Sequence, residues 1–238
     1  MGGVDAVGGL GSILGVWAHP DDETYLSAGV MAAAASMGAR VTCVTATRGE
    51  LGTPDPQAWP PERLAAIRTA ELERALEILG IGEHHWLDYP DGGCDAVPAA
   101  AAAARIAALI DELRPDTILT FGPEGMTGHA DHRTVSVWVD AAVELTAHRP
   151  RILHATTTPE WRDTYATDLD DLDVFAPGTP PVTPAADLAL HLVLPPDLLE
   201  RKVAALQAQE SQTAALVELL GAQRYRAQLV DEMFRPAV

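Results

Sequence analysis

Cysteine is scarce in this sequence. The 238 residues include two cysteines, Cys43 and Cys94. Two cysteines are too few for a disulfide scaffold, and these two lack the close spacing of a thiolate zinc site. We therefore expect a reducing, cytoplasmic location, with Cys43 buried in a strand as free cysteines usually are.

Positive charge is also scarce. Lys and Arg number 16 against 34 Asp and Glu, which gives a formal net charge of -18, and Lys202 is the single lysine. Phosphate backbones and anionic lipid surfaces repel such an acidic chain. We therefore expect no nucleic acid and no membrane as partners, although an acidic surface is equally typical of a protein that simply stays soluble.

Long apolar runs are missing as well. The first apolar run, residues 13–18, has the length of a strand, and no stretch approaches the roughly 20 apolar residues of a membrane-spanning helix. The first basic residue is Arg40, so the charged beginning of a signal peptide is absent. The composition, 47% hydrophobic and 21% charged, is ordinary for a globular protein, and we expect one domain over residues 1–238.

Predicted strands and helices alternate along the chain. Apolar and β-branched runs predict strands, and Ala- and Leu-rich segments closed by glycine predict helices. The predicted strands are 13–18, 41–47, a short one around Trp86, and 117–121; the predicted helices are 24–37, 62–79, 98–113, 134–147 and 198–209. This order predicts an α/β fold with a mostly parallel sheet and helices on both faces.

The C-terminal third is less regular. Residues 158–187 are rich in Pro, Asp and Thr, and we predict an irregular segment that covers the substrate, together with the loop at 51–61. Residues 214–233 carry leucines and a tyrosine at helical spacing. Such a helix packs either on the domain or on a second subunit, so a homo-oligomer is left open.

Polar side chains are concentrated directly after the first predicted strand. His19, Asp21, Asp22 and Glu23 place one imidazole and three carboxylates within five residues. The carboxyl ends of the strands in an open α/β sheet are where ligands usually bind. Carboxylates at such a place also cap helices, but capping explains one carboxylate and does not explain His19.

A second polar cluster follows the fourth predicted strand. His129, Asp131 and His132 come after residues 117–121, at the same edge of the predicted sheet. Two imidazoles three residues apart on the first turn of a helix can face one cavity, and His with Asp is the ligand set of a hydrolytic zinc site. Isolated histidines are more often structural groups, whereas the two clusters together indicate a metal site.

The two clusters together supply a complete set of metal ligands. A catalytic zinc needs about three protein ligands and an open position for water, and we predict that His19, Asp22 and His132 are those ligands. Asp21 then remains uncoordinated and is predicted to be the base that takes the proton of the water. Iron(II) accepts the same ligands as zinc, so the set is compatible with either metal.

The remaining members of the second cluster have predicted roles in catalysis. His129 is free to act in its charged form on the developing oxyanion or on the leaving amine. Asp131 is predicted to orient one of the imidazoles, because metal-binding histidines usually donate their second nitrogen to such a partner.

The residues 18–23, Ala-His-Pro-Asp-Asp-Glu, resemble the signature of the PIG-L/LmbE-like deacetylases, a Rossmann-like zinc hydrolase family. Residues 129–132 resemble the family's usual His-Pro-Asp-His. Further blocks that resemble the family, in its order, are 47–50, 68–72 with 79–80, 89–92 and 113–116. The resemblance covers residues 13–147, with a looser match at 202–212.

This resemblance implies a zinc-dependent hydrolase that removes an N-acetyl group, commonly from an N-acetylglucosamine unit. It also implies that Arg68, Asp91 and Glu50 lie near the substrate, where an arginine fork and carboxylates suit sugar hydroxyls. Simpler interpretations stay open for two of them. Arg68 also fits a surface helix residue paired with Glu71, and Asp91 also fits a turn residue.

Three positions depart from the family pattern. Ala130 replaces a proline, which changes the stiffness of the loop but no ligand. Residues 25–29 replace a glycine-richer turn, so we expect a narrower or more apolar pocket wall beside the metal. Gln209 stands where many relatives carry His, which weakens the transfer of a role to this position.

Other functions stay open at this point. An amidase that cleaves a thiol conjugate or another acyl amide would use the same metal site. A non-catalytic metal-binding or sugar-binding protein would bind its ligand without turnover. A magnesium phosphate site is a third possibility, which the two histidines disfavour because imidazole suits a softer metal. In each enzymatic case the partner is a small-molecule amide or amino sugar.

Overall fold

A central β-sheet organises the molecule. The computed structural model describes residues 3–53, 55–166, 169 and 174–237. The strands within these residues are β1 Ile13–Trp17, β2 Val41–Thr47, β3 Glu83–Tyr89, β4 Thr117–Phe121, β5 Arg151–Ala155, β6 Leu190–Val193 and β7 Asp231–Pro236. They form one sheet in the order β3-β2-β1-β4-β5-β7-β6.

Most of the sheet is parallel. Strands β1 to β5 pair in parallel with their neighbours, and β7 lies antiparallel between β5 and β6. The chain adds β2 and β3 on one side of β1 and then returns to add β4 and β5 on the other side. The strand order therefore reverses between β1 and β4, and such a switch point opens a crevice at the carboxyl ends of the two strands.

Helices connect the strands and cover the sheet. They are α1 Val4–Gly8, α2 Asp22–Ser36, α3 Pro61–Leu79, α4 Ala99–Leu113, α5 Ala130–Leu145, α6 Pro159–Trp161, α7 Pro196–Gln207, α8 Glu210–Leu220 and α9 Ala222–Ala227. Because parallel crossovers are right-handed, α2 and α3 lie on one face, and α4 and α5 on the other. Helix α7 packs against α2 and α3, and α4 packs against α5, as this placement requires.

The predicted α/β architecture is confirmed, and most predicted boundaries agree within a few residues. Residues 41–47 and 117–121 are strands with the predicted bounds. Trp17 and Trp138 are completely buried, as is Cys43. These residues belong to the hydrophobic core on which the two helix layers pack.

The prediction of one helix over residues 214–233 is wrong. Helix α8 ends at Leu220, Gly221 adopts a φ of 74°, and the short α9 follows. The chain then turns into β7, which fills the place between β5 and β6. The helical spacing of the leucines continues past a glycine whose left-handed backbone ends the helix, and strand pairing decides the conformation of the residues beyond it.

The C-terminal part of the chain contains elements that the sequence analysis did not predict as well as the irregular segment that it did. Strands β5 and β6 were not predicted from the sequence. The described part of residues 158–187 is largely irregular as predicted, with α6, a π-helical turn at Arg162–Ala166 and a 3₁₀ turn at Ala185–Asp187. Residues 167, 168 and 170–173 of this segment lie outside the described residues. Among the described helices, none combines the length and apolarity needed to cross a membrane.

Candidate metal centre

The loop after β1 carries the first polar cluster to the switch point of the sheet. His19 and Asp22 are buried there, with 9% and 7% of their surface exposed. The main-chain N–H of His19 donates to Oδ2 of Asp22 at 2.8 Å, which folds the loop back on itself. The two side chains therefore point to the same place at the beginning of α2.

Asp21 has a backbone conformation that residues with side chains rarely adopt. Its φ is 119° and its ψ is -30°, which costs on the order of 1–3 kcal/mol for a residue other than glycine. Arg68 holds this turn, because its guanidinium donates to the main-chain carbonyls of Pro20 and Gly49 and lies 3.4 Å from Oδ2 of Asp21. Such maintained strain is typical of functional sites.

Three predicted metal ligands converge. Nδ1 of His19 lies 3.0 Å from Nε2 of His132. Asp22 places Oδ2 3.7 Å from Nδ1 of His19 and Oδ1 3.3 Å from Nε2 of His132. Ligand atoms about 2.0–2.1 Å from a tetrahedral zinc lie about 3.3 Å apart. The three distances lie around this value, so the donor set fits a zinc-sized ion.

The second nitrogen of each imidazole is fixed by a partner. Nε2 of His19 lies 3.2 Å from Oδ2 of Asp131 and 3.1 Å from Oδ1 of Asp91. Nδ1 of His132 lies 3.0 Å from the carbonyl oxygen of Gly125, and its ring stacks on Phe121. Partners of this kind keep the opposite nitrogen deprotonated and aimed at the metal. They favour Nδ1 of His19 and Nε2 of His132 as the atoms that would face a metal, and the ligand set itself stays a prediction.

Asp131 is held rigidly behind His19. Its carboxylate accepts the main-chain N–H groups of Gly92 at 2.7 Å and Cys94 at 3.1 Å. Burial would raise the pKa of Asp131, but the hydrogen bonds from His19 and from these N–H groups lower it to about 2. Burial likewise opposes the charged form of His19, and its bonds to Asp131 and Asp91 raise the pKa of His19 to about 10. The carboxylates around His19 therefore stabilise a positive charge at this place, whether a proton on the imidazole or a bound cation carries it.

Asp21 differs from the other carboxylates of the site. Burial raises the pKa of Asp21 to about 7, against the opposing charge of Arg68. A carboxylate with a pKa near the working pH can both take up and release a proton. Asp21 lines the same cavity as the predicted ligands, and its role as the base stays a prediction.

His129 is the exposed member of the cluster. Its ring centre lies 4.8 Å from that of His19 and 5.2 Å from that of His132. Nδ1 of His129 accepts the main-chain N–H of Asp131 at 3.2 Å and so caps α5, which leaves Nε2 for a proton or a ligand. The nitrogens of the three imidazoles lie within 4.8 Å of one another, so His129 is also close enough to be a metal ligand.

Of the three residues predicted to bind substrate, two line the cavity and the third lies behind them. Arg68 and Asp91 line the cavity, and both are buried and bonded within the protein. Asp91 accepts the N–H of Leu51 through Oδ2 and contacts His19 through Oδ1. Glu50 stands behind Asp91 and accepts its main-chain N–H at 2.9 Å. A role of Arg68, Asp91 and Glu50 in substrate binding therefore stays a prediction, and their visible contacts shape the loop around His19 and Asp21.

Gln209, for which the sequence predicted no role, supports the site from a distant part of the chain. Its Nε2 donates to Oε1 of Glu23 at 2.8 Å, and Oε2 of Glu23 accepts the N–H of Asp21 at 3.1 Å. Gln209 lies in the turn between α7 and α8, 186 residues from Glu23, and thus supports the strained turn of Asp21. The departure from the usual histidine was the one signal in the sequence that pointed to this position.

A cavity of about 640 Å³ is lined by the predicted metal ligands. His19, Asp21, Asp22, His129 and His132 all contribute to its lining. Most of the other lining residues come from the C-terminal part of the chain, and Tyr25, Leu26 and Leu51 add to them. A space of this size accommodates a small organic molecule.

Comparison with known sequences gives a family. The profile of "PIG-L: GlcNAc-PI de-N-acetylase" matches residues 14–143. The 1D-myo-inositol 2-acetamido-2-deoxy-alpha-D-glucopyranoside deacetylase of Kineococcus radiotolerans is 39% identical over 163 residues, which are 57% of this chain and 45% of the relative. The enzyme of the same name from Saccharomonospora viridis is 32% identical over 227 residues, 84% of each chain. The chain therefore spans less than half the length of the first relative and most of the second.

Solved structures share the fold. N,N'-diacetylchitobiose deacetylase from Pyrococcus horikoshii has a TM-score of 0.62 and 22% identity, over 94% of this chain and 83% of that chain. The 4-carboxy-2-hydroxymuconate hydratase of Pseudomonas putida KT2440 has a TM-score of 0.64 and 17% identity, over 96% of each chain. One fold thus carries more than one reaction, and function has to be argued from the site. The family profile matches more than half of the chain, and the Saccharomonospora relative is 32% identical over 84% of it, so the chain belongs to the PIG-L: GlcNAc-PI de-N-acetylase family.

Proposed function

We propose that this protein is a metal-dependent N-deacetylase that hydrolyses the acetamido group of a small molecule containing N-acetylglucosamine. The observation that carries the proposal is the convergence of His19, Asp22 and His132 at the spacing of zinc ligands, with Asp21 uncoordinated beside them. The names of the sequence relatives support the same reaction on an amino-sugar substrate.

Each neighbouring side chain has a task in this reaction. Zinc or iron(II), when bound, supplies Lewis acidity that makes water nucleophilic near neutral pH. The carboxylate of Asp21 accepts a proton from the attacking water, whose oxygen bonds to the acetyl carbon. His129 stabilises the oxyanion and gives a proton to the nitrogen as the C–N bond breaks. Acetate and a free amine leave.

The outer residues hold this arrangement in place. Asp131 fixes the ring of His19 through Nε2 and so keeps Nδ1 available. Arg68 holds the strained turn of Asp21 through two main-chain carbonyls. Catalysis depends on such positioning, because a displacement of about 1 Å can lower the rate about a hundredfold.

Acetate release tests the proposal. Metal-stripped protein and protein reconstituted with zinc or iron(II) are assayed side by side on N-acetylglucosamine glycosides and on an acylated thiol conjugate. We expect metal-dependent release of acetate from at least one acetamido sugar. Metal bound at one ion per chain with no acetate from any sugar contradicts the proposal, and hydrolysis of the thiol conjugate alone identifies an amidase instead.

The Asp21→Asn variant tests the assigned base. We expect kcat to fall about 10²- to 10⁴-fold while the metal content stays at that of the wild type. Asp111→Asn, which makes the same chemical change on the exposed face of α4, is the matched control and should keep full activity. If Asp21→Asn retains activity near that of the wild type with metal bound, Asp21 is not the base.

A further inference from the structure

The cavity is lined by two unlike groups of side chains. One group contains the predicted metal ligands, and the other consists of large apolar side chains, among them Tyr25, Trp161, Phe175, Leu216 and Leu229. Four of these five lie beyond residue 143, where the family match ends. We call the apolar group of lining side chains the outer wall.

We propose that the outer wall binds an apolar, uncharged group that the substrate carries next to its acetamido sugar. This inference rests on the proposed function and adds the class of the substrate. An aryl or branched alkyl glycoside fits the description, whereas a second polyol ring or a phosphate does not.

The polar atoms of the aromatic side chains are already bonded within the protein. Nε1 of Trp161 donates to the carbonyl of Gln228 at 3.1 Å. The hydroxyl of Tyr25 lies 3.0 Å from that of Tyr225. These bonds leave the rings of Trp161 and Tyr25 to contact a ligand through their apolar surfaces.

Several other polar side chains of the outer wall also have internal partners. The carboxylate of Glu232 binds Lys202 and two main-chain N–H groups, and that of Asp231 lies 2.7 Å from Nε2 of His191. The hydroxyls of Thr156 and Thr157 both donate to the carbonyl of Pro181. A polyol placed against these groups would lose its bonds to water and gain few in return, which costs binding free energy.

The charges of the cavity disfavour an anionic substrate. Apart from histidines, Arg68 is the one cationic side chain among the described lining residues, and Asp21, Pro20 and Gly49 already occupy its guanidinium. Asp91 and Asp231 add negative charge to the same lining, whereas Lys202 neutralises the charge of Glu232. A phosphate on the substrate would therefore meet repulsion without a free arginine or lysine to compensate for it.

The outer wall is continuous with the reacting centre. Tyr25 and Leu26 are the fourth and fifth residues of α2, the helix that begins with the predicted ligand Asp22. An acetamido group at the ligands thus directs a substituent of its own sugar ring toward the apolar side chains, whose burial strengthens binding.

Glycosides that differ only in this substituent test the inference. Phenyl, benzyl, methyl and myo-inositol N-acetylglucosaminides, with the 6-phosphate of the methyl glycoside, are compared on the zinc-loaded full chain by acetate release. We expect kcat/KM for the phenyl and benzyl glycosides to be about 10- to 100-fold above that for the methyl glycoside, with the phosphate below all. A preference for the inositol glycoside, or equal kcat/KM values for all uncharged glycosides, overturns the inference and leaves the deacetylase proposal intact.

A binding measurement keeps the two proposals distinguishable. Isothermal titration with phenyl and methyl glucosaminide, the free amines, needs no turnover, and we expect the phenyl compound to bind at least tenfold more tightly. If no acetamide is hydrolysed but this preference holds, the deacetylase proposal fails and the inference about the outer wall stands. Equal binding of the two amines overturns the inference.

Two leucines of one helix supply a matched pair of variants. Leu216 lines the cavity, whereas Leu219 is 62% exposed on the same helix α8. Leu216→Ser should lower the ratio of phenyl to methyl kcat/KM at least fivefold, and Leu219→Ser should leave the ratio unchanged. Phe175→Ser, at another residue that lines the cavity, should lower the ratio as well and guards against a folding defect in Leu216→Ser. An unchanged ratio in both cavity variants contradicts the proposal.

Discussion

Lys202 and Glu232 form an ion pair inside the protein, with Nζ 2.9 Å from Oε1 and both side chains at most 1% exposed. Nζ also donates to the carbonyl of Tyr25, and the carboxylate accepts the N–H groups of Gly29 and Val30. In a regular helix the N–H of Gly29 would bond to that carbonyl of Tyr25. Lys202 and Glu232 thus form hydrogen bonds with main-chain groups of α2 that lie within about two turns of Asp22.

Removing one member of this pair should destabilise the protein strongly. Lys202→Met leaves the carboxylate of Glu232 buried without a counter-charge, so we expect the free energy of unfolding to fall by about 3–5 kcal/mol. Urea unfolding followed by circular dichroism measures the change. Glu200→Gln breaks the exposed pair of Glu200 with Arg226 and serves as the control, with an expected loss of about 0–1 kcal/mol.

Replacing both members separates the ion pair from the packing. In Lys202→Met/Glu232→Met neither charge of the buried pair remains. We expect the double variant to be at least 2 kcal/mol more stable than Lys202→Met alone, because apolar replacement of both partners is often neutral. A double variant that is less stable than either single variant would contradict this account of the pair.

Asp131 should act on metal affinity through His19. Asp131→Asn weakens the acceptor at Nε2 of His19, so we expect zinc to bind about 10- to 100-fold more weakly. Competition with a chromogenic chelator measures the affinity. Asp22→Asn removes a ligand and should cost more than Asp131→Asn, whereas Asp21→Asn should bind zinc like the wild type. The opposite order for Asp21 and Asp22 would exchange their roles.

His129 is predicted to move protons and not to hold the metal. We expect His129→Gln to lower kcat about 10²-fold or more while its zinc affinity stays within about twofold of the wild type. The same chelator competition and the acetate assay give both quantities. A tenfold loss of zinc affinity in this variant would instead make His129 a ligand, as its distance from His19 and His132 allows.

The fold and the inner site followed from the sequence to a large extent. Buried parallel strands are continuous apolar runs, so β1, β2 and β4 were recognisable with near-correct ends. Both polar clusters follow strands that are neighbours at the switch point. The sequence could therefore predict that His19 and His132 lie close together. Local pattern and topology rules suffice where the strands are buried on both faces.

The rest depended on contacts between distant parts of the chain. Strand β7 is formed only because β5 and β6 lie on either side of it, and no local pattern marks that pairing. The contact of Asp91 with His19 and the burial of Arg68 arise from loops that meet in three dimensions. The apolar outer wall likewise combines residues from α2, α8 and the segments between them.

His84 should make stability depend on pH, far from the metal ligands. Its Nε2 lies 2.9 Å from Oγ1 of Thr45, and its ring packs on Trp86. Burial, followed by the charges of His85 and Arg48, lowers the pKa of His84 to about 4. In the unfolded chain a histidine has a pKa of about 6.5. The unfolded state therefore binds the proton first, and the stability present above pH 6.5 is lost as the pH falls toward 4.

Comparing the wild type with His84→Gln isolates this contribution, because all other groups titrate equally in both proteins. Between pH 7.5 and pH 5.0 we expect the free energy of unfolding of the wild type to fall by about 1–2 kcal/mol more than that of the variant. Urea unfolding at four pH values across this range gives the difference. Parallel pH profiles for the two proteins would show that His84 titrates alike in the folded and unfolded states, and the burial of its ring would then carry no cost for the charged form.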